Sequence, residues 1–540
     1  MIDLLITGGT LVDGTGTAPR RADVAVGDGR VTEIGDLAGR PAVRTIDATG
    51  HVVAPGFVDV HTHSDLTLLS SPAAHSAVRQ GVTTVVVGNC GLGVTPVAGP
   101  PEGEGAGSRA LQDHRDALRK AAGYLDLDPS VRWTWTDLPG YLAALDAARP
   151  AVNVAALVAH TPLRAAAVGF ADRPADAAAL DRMRGLLGDA LRAGAAGVST
   201  GLVYAPVCYA REDELEELGR TAAAYGRLFA WHVRDYADGL LDSVRQALRV
   251  AAATGCRTQI SHLVAVGRRN HGSVARALEL IDAARSRGLD VAFDVYPYLA
   301  GNAPLSQLLP AWAQEGGEEA MRERLTDRAV RARVRDEWRD LPNAWDDIAV
   351  DGRPVTALAA DTGSDPADAV LDLVAEHGNR VQMVAGGRSE RDLLDALTHP
   401  AAVLGSDGQA LDPDGPTGRG TPHPRSYGAY PRLFAEYVRT GRLGLAEAVR
   451  MCTSAAAERA GLAGRGVLRA GAAADIVVFD PARIADRATF AEPQRYPDGI
   501  RAVVVGGRAV VEDGVHHGAG HPAGPRAPGG AGGGEILRVR

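Results

Sequence analysis

Between about residue 55 and residue 465 the chain alternates β-branched runs with alanine- and arginine-rich amphipathic stretches, and that alternation leaves few folds open. Strands joined by helix-length crossovers run parallel in one sheet. Eight runs qualify, at residues 57–61, 82–88, 152–159, 197–203, 228–233, 257–262, 291–296 and 401–406. Eight βα units favour a closed (β/α)8 barrel over an open sheet. A barrel also says where chemistry belongs, because the C-terminal ends of its strands line the mouth.

The two ends of the chain read differently. Residues 1–54 are short β runs broken by turn residues such as Asp13-Gly14 and Gly27-Asp28-Gly29, and the same texture returns at 475–480 and 502–511. Residues 1–54 and 466–517 are therefore expected to build one small β-sandwich beside a barrel of 55–465. Two stretches break the barrel rhythm. Residues 98–109 form a turn-rich loop, and an insertion at about 303–365 holds a charged helix around 318–339. That insertion reads as a lid over the mouth or as a surface excursion. Residues 518–540 are rich in Gly and Pro and are expected to be disordered.

Composition narrows the chemistry. Of 57 Lys+Arg, a single residue, Lys120, is lysine, so a Schiff-base, phosphate-loop or carboxylated metal-bridging lysine would have to be this one. Its surroundings, His114 to Ala122, read as a solvent-facing helix. A net charge of −9 argues against nucleic acid as a partner. No apolar run reaches the roughly 18 residues of a membrane span, and Met1–Ile6 lacks a signal peptide's basic start. Cys90, Cys208, Cys256 and Cys452 form no C-x-x-C pair and read as thiols of a cytoplasmic protein. Oligomeric state leaves no trace in the sequence.

Six metal-ligand side chains fall at the C-terminal ends of five expected strands. His61 and His63 are two apart and share a face of an extended segment, so both can reach one metal. Cys90 follows Val85-Val86-Val87-Gly88-Asn89, His232 closes Phe229-Ala230-Trp231, His262 closes Gln259-Ile260-Ser261, and Asp407 follows Gly405-Ser406. Each has a bland alternative: a small buried thiol, a satisfied core histidine, a helix cap. Together at one barrel mouth they point to a metal site.

At this point the chain resembles the amidohydrolase superfamily, and within it the D-aminoacylase (N-acyl-D-amino-acid deacylase) family, over about residues 1 to 515. The resemblance rests on Ala54-Pro55-Gly56-Phe57-Val58-Asp59-Val60-His61-Thr62-His63, on Gly88-Asn89-Cys90-Gly91, on Ser199-Thr200-Gly201-Leu202-Val203-Tyr204, and on His232-Val233-Arg234. It continues in Ser261-His262-Leu263, Asp294-Val295-Tyr296-Pro297-Tyr298, Gly405-Ser406-Asp407-Gly408 and His423-Pro424-Arg425. It implies that the Cys90 thiolate does the bridging that a carboxylated lysine does in hydantoinase-like relatives. Cys90, His232 and His262 would hold a tight Zn2+, and His61, His63 and Asp407, sharing Cys90, a weaker second position. A thiolate with imidazoles suits zinc better than magnesium or calcium.

From those ligands the expected reaction is hydrolysis of an amide by metal-activated water, with Asp407 as general base and Tyr204 assisting at the oxyanion, and the resemblance implies a small-molecule linear amide as substrate. The resemblance assigns Arg425, helped by Tyr296, to the free carboxylate of an N-acyl amino acid. Two departures concern the pocket. Val264 stands where the family has a lysine, and Leu299-Ala300-Gly301-Asn302 replaces its usual residues after Tyr-Pro-Tyr. A pocket with Val264 and Asn302 and without that cation is expected to favour apolar N-acyl-D-amino acids. The alternatives are another amidohydrolase, acting on a cyclic amide or a specialised metabolite, and a non-catalytic scaffold on the same fold.

Overall fold

The computed structural model describes residues 1–97, 108–517 and 534–540. Eight parallel strands hydrogen-bond in chain order in one sheet: β1 (Phe57–Asp59), β2 (Val82–Val87), β3 (Asn153–Ala159), β4 (Gly197–Gly201), β5 (Leu228–His232), β6 (Arg257–Ile260), β7 (Val291–Val295) and β8 (Ala402–Leu404). Each lies within one of the eight expected runs. Past the ends of β1 and β8, Thr62 bridges Gly408 in parallel and the Asp407 N–H donates to the His61 carbonyl at 2.8 Å, which brings the two end strands together. The fold is the expected (β/α)8 barrel.

Several strands stop sooner than the hydrophobic runs suggest. β2 ends at Val87, β6 at Ile260 and β8 at Leu404. The cause is local: Cys90, His262 and Asp407 adopt left-handed backbone angles, φ 54°, 34° and 53°, which no ladder accepts. The residues expected to carry chemistry thus sit just past the strands.

Contact density divides the chain into one unit of residues 1–87, 142–156 and 402–539 and a second of 88–141, 157–401 and Arg540. In the first, a four-stranded sheet (Arg30–Gly35, Asp23–Gly27, Ile2–Thr7, Ala42–Asp47) accompanies a seven-stranded sheet that draws on both ends of the chain, with Val52–Pro55 paired antiparallel to Ile476–Phe479. Leu4, Ile6, Val24, Val53, Ile476, Val478 and Val504 form their common buried core, so the sandwich is built from both termini. Phe57 at the start of β1 stacks on Tyr430 and Phe434, with ring centroids 5.2 and 5.4 Å away. The final residues correct the expectation of a disordered 518–540. Residues 518–533 lie outside the described residues, but Ile536 bridges Val154 of β3 in parallel and is buried.

In the second unit the excursion after β7 is longer than the expected 303–365. It runs from the strand Gly301–Pro304 to the strand Gln382–Ala385, which pair antiparallel in a four-stranded sheet with Ile348–Val350 and Arg353–Pro354. Leu305, Met321, Val334, Trp338, Val355, Val370 and Met383 give it a core of its own. Its C-terminal half was hidden because Pro366–His377 carries the alanine-rich pattern of a barrel helix. The charged helix around 318–339 is two helices, Glu318–Arg324 and Arg328–Glu337, with the Asp327 carboxylate accepting from the Ala329 N–H at the second start. Of the expected 98–109 loop, 98–107 lie outside the described residues and Ser108 opens the helix Ser108–Ala121. Lys120 sits on that helix, ion-paired with Glu319 and partly exposed. No helix among the described residues is long and apolar enough to cross a membrane.

If the terminal sheets share one core, Ile476→Ala, at a fully buried position, should cost about 2–5 kcal/mol and lower the thermal midpoint. Val43→Ala, at a position 63% exposed in the same sandwich, should stay within about 0.5 kcal/mol. Equal shifts for the two variants, read by differential scanning calorimetry, would contradict the shared core.

Candidate metal centre

In the first unit the site is organised by one carboxylate. Asp407, 4% exposed, presents Oδ1 to His63 Nε2 at 3.0 Å and to His61 Nε2 at 3.3 Å, and Oδ2 to the Arg425 guanidinium at 2.6 Å. A buried carboxylate needs such compensation, because leaving water costs several kcal/mol unless charge and hydrogen bonds replace it. Burial pushes the His63 imidazole down from its usual pKa against the opposing pull of Asp407, which favours the neutral ring a metal requires. Behind these groups Asp59, buried, accepts from the Ser406 N–H at 2.9 Å and the His61 N–H at 3.3 Å. Burial raises its pKa to about 6, partly offset by those bonds. Asp59 therefore ties the β1 terminus to the β8 terminus, directly under His61 and Asp407.

In the second unit Cys90 Sγ lies 3.5 Å from His262 Nε2. The His262 ring packs edge-on against His232, centroids 4.7 Å apart. Tyr236 touches both rings at 5.0 Å and fixes their loops, its hydroxyl donating to the Ser261 carbonyl at 3.0 Å and accepting from the Val233 N–H at 3.1 Å. Asp294 Oδ1 accepts from the His262 N–H at 2.7 Å. Gly201 is required here, because a Cβ would collide with the Cys90 carbonyl.

One ligand atom each from His61, Cys90, His262 and Asp407 lie within 4.8 Å of one another, all four residues buried. His63 adjoins the group through Asp407, and His232 adjoins it through His262. A thiol, two imidazoles and a carboxylate suit zinc, whose bonds to such donors run about 2.0–2.3 Å. Three of the four, Cys90, His262 and Asp407, hold the left-handed backbone. Each such residue costs on the order of 1 kcal/mol and is retained where function needs the direction it gives.

The remaining expected residues are spread around this group. Tyr204 lies 5.1 Å from the His232 ring and directs its hydroxyl to Gln307 at 3.4 Å. Tyr296, just past β7, is buried, and its hydroxyl accepts from Arg388 at 3.0 Å. Val264 is half-buried. Asn302 braces the inserted sheet: its carboxamide accepts from the Tyr124 hydroxyl at 3.0 Å and donates to the Met383 carbonyl at 2.9 Å. Sequence reasoning gave no role to Asp59, Tyr236, Asp294 or Arg388. The first three stand within or beside the motifs, but a carboxyl or phenol that braces a neighbouring loop has no spacing signature.

A sequence profile of the amidohydrolase family matches residues 44–511. An N-acyl-D-glutamate deacylase of Alcaligenes xylosoxydans xylosoxydans is 37% identical over 510 residues, covering 94% of this chain and 93% of the relative. Among solved structures, the N-acyl-D-glutamate deacylase of Bordetella bronchiseptica, complexed with zinc and a phosphonate inhibitor that mimics the reaction's tetrahedral intermediate, superposes with a TM-score of 0.80 at 36% identity and covers 99% of both chains. A D-aminoacylase with a binuclear metal center, described by one-metal activation and second-metal attenuation, gives 0.79 at 32% identity, with both chains covered 100%.

Cys90→Ala should lower the zinc that co-purifies with the protein, whereas Cys256→Ala, which removes a buried thiol at the start of β6, should leave zinc content unchanged. Elemental analysis after dialysis reads both. Unchanged zinc in Cys90→Ala would remove Cys90 from the centre.

Proposed function

From the premise that this chain belongs to the amidohydrolase family, and within it to the D-aminoacylases (N-acyl-D-amino-acid deacylases), we propose that it hydrolyses the amide bond of N-acyl-D-amino acids, giving the D-amino acid and a carboxylate. The buried group of thiol, imidazole and carboxylate at the barrel mouth carries this reading. Zinc fits those donors; Cys90, His61, His262 and Asp407 would hold it, with His63 and His232 beside them. When bound, zinc supplies Lewis acidity and brings the pKa of a water towards about 7.

The chain's own residues do the rest. Asp407 takes the proton of the attacking water and returns it to the amide nitrogen, which must be protonated before the amine can depart. Arg425 and the two histidines fix the orientation of its carboxylate. Tyr204, beside His232, would turn its hydroxyl from Gln307 to donate to the acyl oxygen as charge develops there. Arg425 was expected to bind the substrate carboxylate. It is 1% exposed and pairs through Nη1 with Asp407, so the residue expected to hold the substrate also holds the base.

Asp407→Asn should retain the fold and lose about 10²–10⁴-fold in kcat, the usual span of general acid–base catalysis. Wild-type turnover in that variant would overturn the role. On zinc-reconstituted enzyme, N-acetyl-D-leucine and N-acetyl-D-methionine should be hydrolysed faster than their L forms and faster than N-acetyl-D-glutamate, the latter because Val264 brings no cation. Equal or faster turnover of N-acetyl-D-glutamate would contradict the preference, and cleavage of L forms or cyclic amides alone would contradict the activity.

A further inference from the structure

We propose that Ser199 of β4 is a positioning residue for the metal centre: its hydroxyl clamps the loop that carries Cys90 on both sides of the thiol, and so sets the direction from which the thiolate meets zinc. The inference rests on the metal centre of the deacylase reading and names the group that holds its sulfur ligand.

The loop needs a hold from outside. Directly past β2, Gly88, Cys90 and Gly91 all take left-handed backbone angles, φ 81°, 54° and 65°, so neither a ladder nor a helix fixes them. Within the loop the Leu92 N–H donates to the Asn89 carbonyl at 2.9 Å, which closes one turn and leaves both flanks of Cys90 to be held by other elements. Ser199 is fully buried, and its hydroxyl donates to the Gly88 carbonyl while accepting from the Gly91 N–H at 2.9 Å. A hydroxyl has one proton to give and lone pairs to receive with, so a single oxygen can join the two sides of the loop.

The backbone is close enough for that clamp only because the flanking residues are glycines. A Cβ on Gly88 would collide with the Leu157 carbonyl of β3, and one on Gly91 would collide with the Gly201 nitrogen of β4. The loop therefore lies directly against the strands that hold it. Without the hydroxyl at 199, the Gly88 carbonyl and the Gly91 amide would lose this partner in a buried place, and the loop would be free to shift.

β4 is itself anchored. Successive strand residues face opposite ways, and Thr200 turns its hydroxyl to His160 Nδ1 at 3.0 Å. His160 Nε2 meets Glu214 at 2.8 Å, and Glu214 pairs with Arg164. These four side chains are sealed from solvent, so their hydroxyl, imidazole and carboxylate fix the strand and have no access to a substrate. The helix His160–Ala167 also grips the loop, since the Thr161 N–H donates to the Gly91 carbonyl at 3.0 Å. Ser199 thus transmits a rigid frame to Cys90, whose Sγ stands 3.5 Å from His262 Nε2.

The test compares Ser199→Ala, Ser199→Thr and Ser199→Val with wild type. Threonine and valine are nearly equal in size and differ in the hydroxyl, so any defect from the added bulk is common to both. Zinc affinity is read by competition with a chromophoric chelator, and the thiolate is read through the sulfur-to-metal charge-transfer band of the cobalt(II)-substituted protein. Ser199→Ala and Ser199→Val should bind zinc about 10–100-fold more weakly, the usual effect of removing a group that supports a ligand, and should weaken or shift the band. Ser199→Thr should bind zinc more tightly than Ser199→Val and recover the band. Thr221→Val, which deletes another buried hydroxyl, one that donates to the Glu217 carbonyl within a helix, should leave both readouts unchanged. Wild-type zinc affinity and an unshifted band in Ser199→Ala overturn the proposal and assign Ser199 to structure, as does a Ser199→Thr protein no better than Ser199→Val, or an equal loss of zinc in Thr221→Val. If Ser199→Ala does not fold, the threonine and valine pair decides. Zinc and the band retained in Cys90→Ala would overturn the metal centre itself, and this proposal with it.

Discussion

The carboxylate of Asp407 is buried, and a charge in that position has to be matched on every side. His61 and His63 approach one oxygen, and Arg425 approaches the other. Holding these groups requires the ends of β1 and β8 to be locked together, which Asp59 does through the Ser406 and His61 amides and which the Thr62–Gly408 bridge repeats. The same demand accounts for the left-handed backbone at Asp407: only by leaving the strand does the carboxylate face both the imidazoles and the guanidinium. In the second unit Cys90 and His262 share that conformation, with Tyr236 and Asp294 holding the loops in place. Strain at three positions is thus supported by hydrogen bonds one residue removed from the ligands, an arrangement expected of a preorganised site.

Much of this could be read from the sequence, and the reasons differ by level. The eight barrel strands were visible because short β-prone runs alternate with helix-forming segments along the chain. Where those strands end was not visible, since the turn of the backbone at Cys90, His262 and Asp407 depends on contacts with other strands. The insertion was recognised by its charged helices but measured short, because Pro366–His377 has the composition of a barrel helix and only its partners Leu371 and Val374 in the module's core reveal where it belongs. The terminal segment shows the limit of composition. Glycine and proline predict disorder up to residue 540, yet Ile536 and Leu537 are apolar enough to dock beside β3.

At the site, ligand types at strand ends were legible because metals demand specific atoms. Residues that act through geometry were not. Arg425 carries the family motif, and only the structure shows that it also pairs with Asp407. Asn302 stood where substrate contacts were expected, and its amide is instead shared between Tyr124 and Met383. Arg388 lies more than eighty residues from Tyr296 in sequence, and nothing in its own neighbourhood marks it. A chain almost without lysine places its cations by arginine, whose planar fork fixes direction as well as charge.

The central claim is that a buried thiolate, imidazoles and a carboxylate converge on one zinc at the barrel mouth. X-ray absorption at the zinc K-edge of the purified holoprotein tests it most directly. The account predicts one sulfur scatterer at about 2.3 Å together with nitrogen and oxygen scatterers at about 2.0–2.2 Å, the sulfur disappearing in Cys90→Ala. A zinc shell of nitrogen and oxygen alone in the unaltered protein would contradict it.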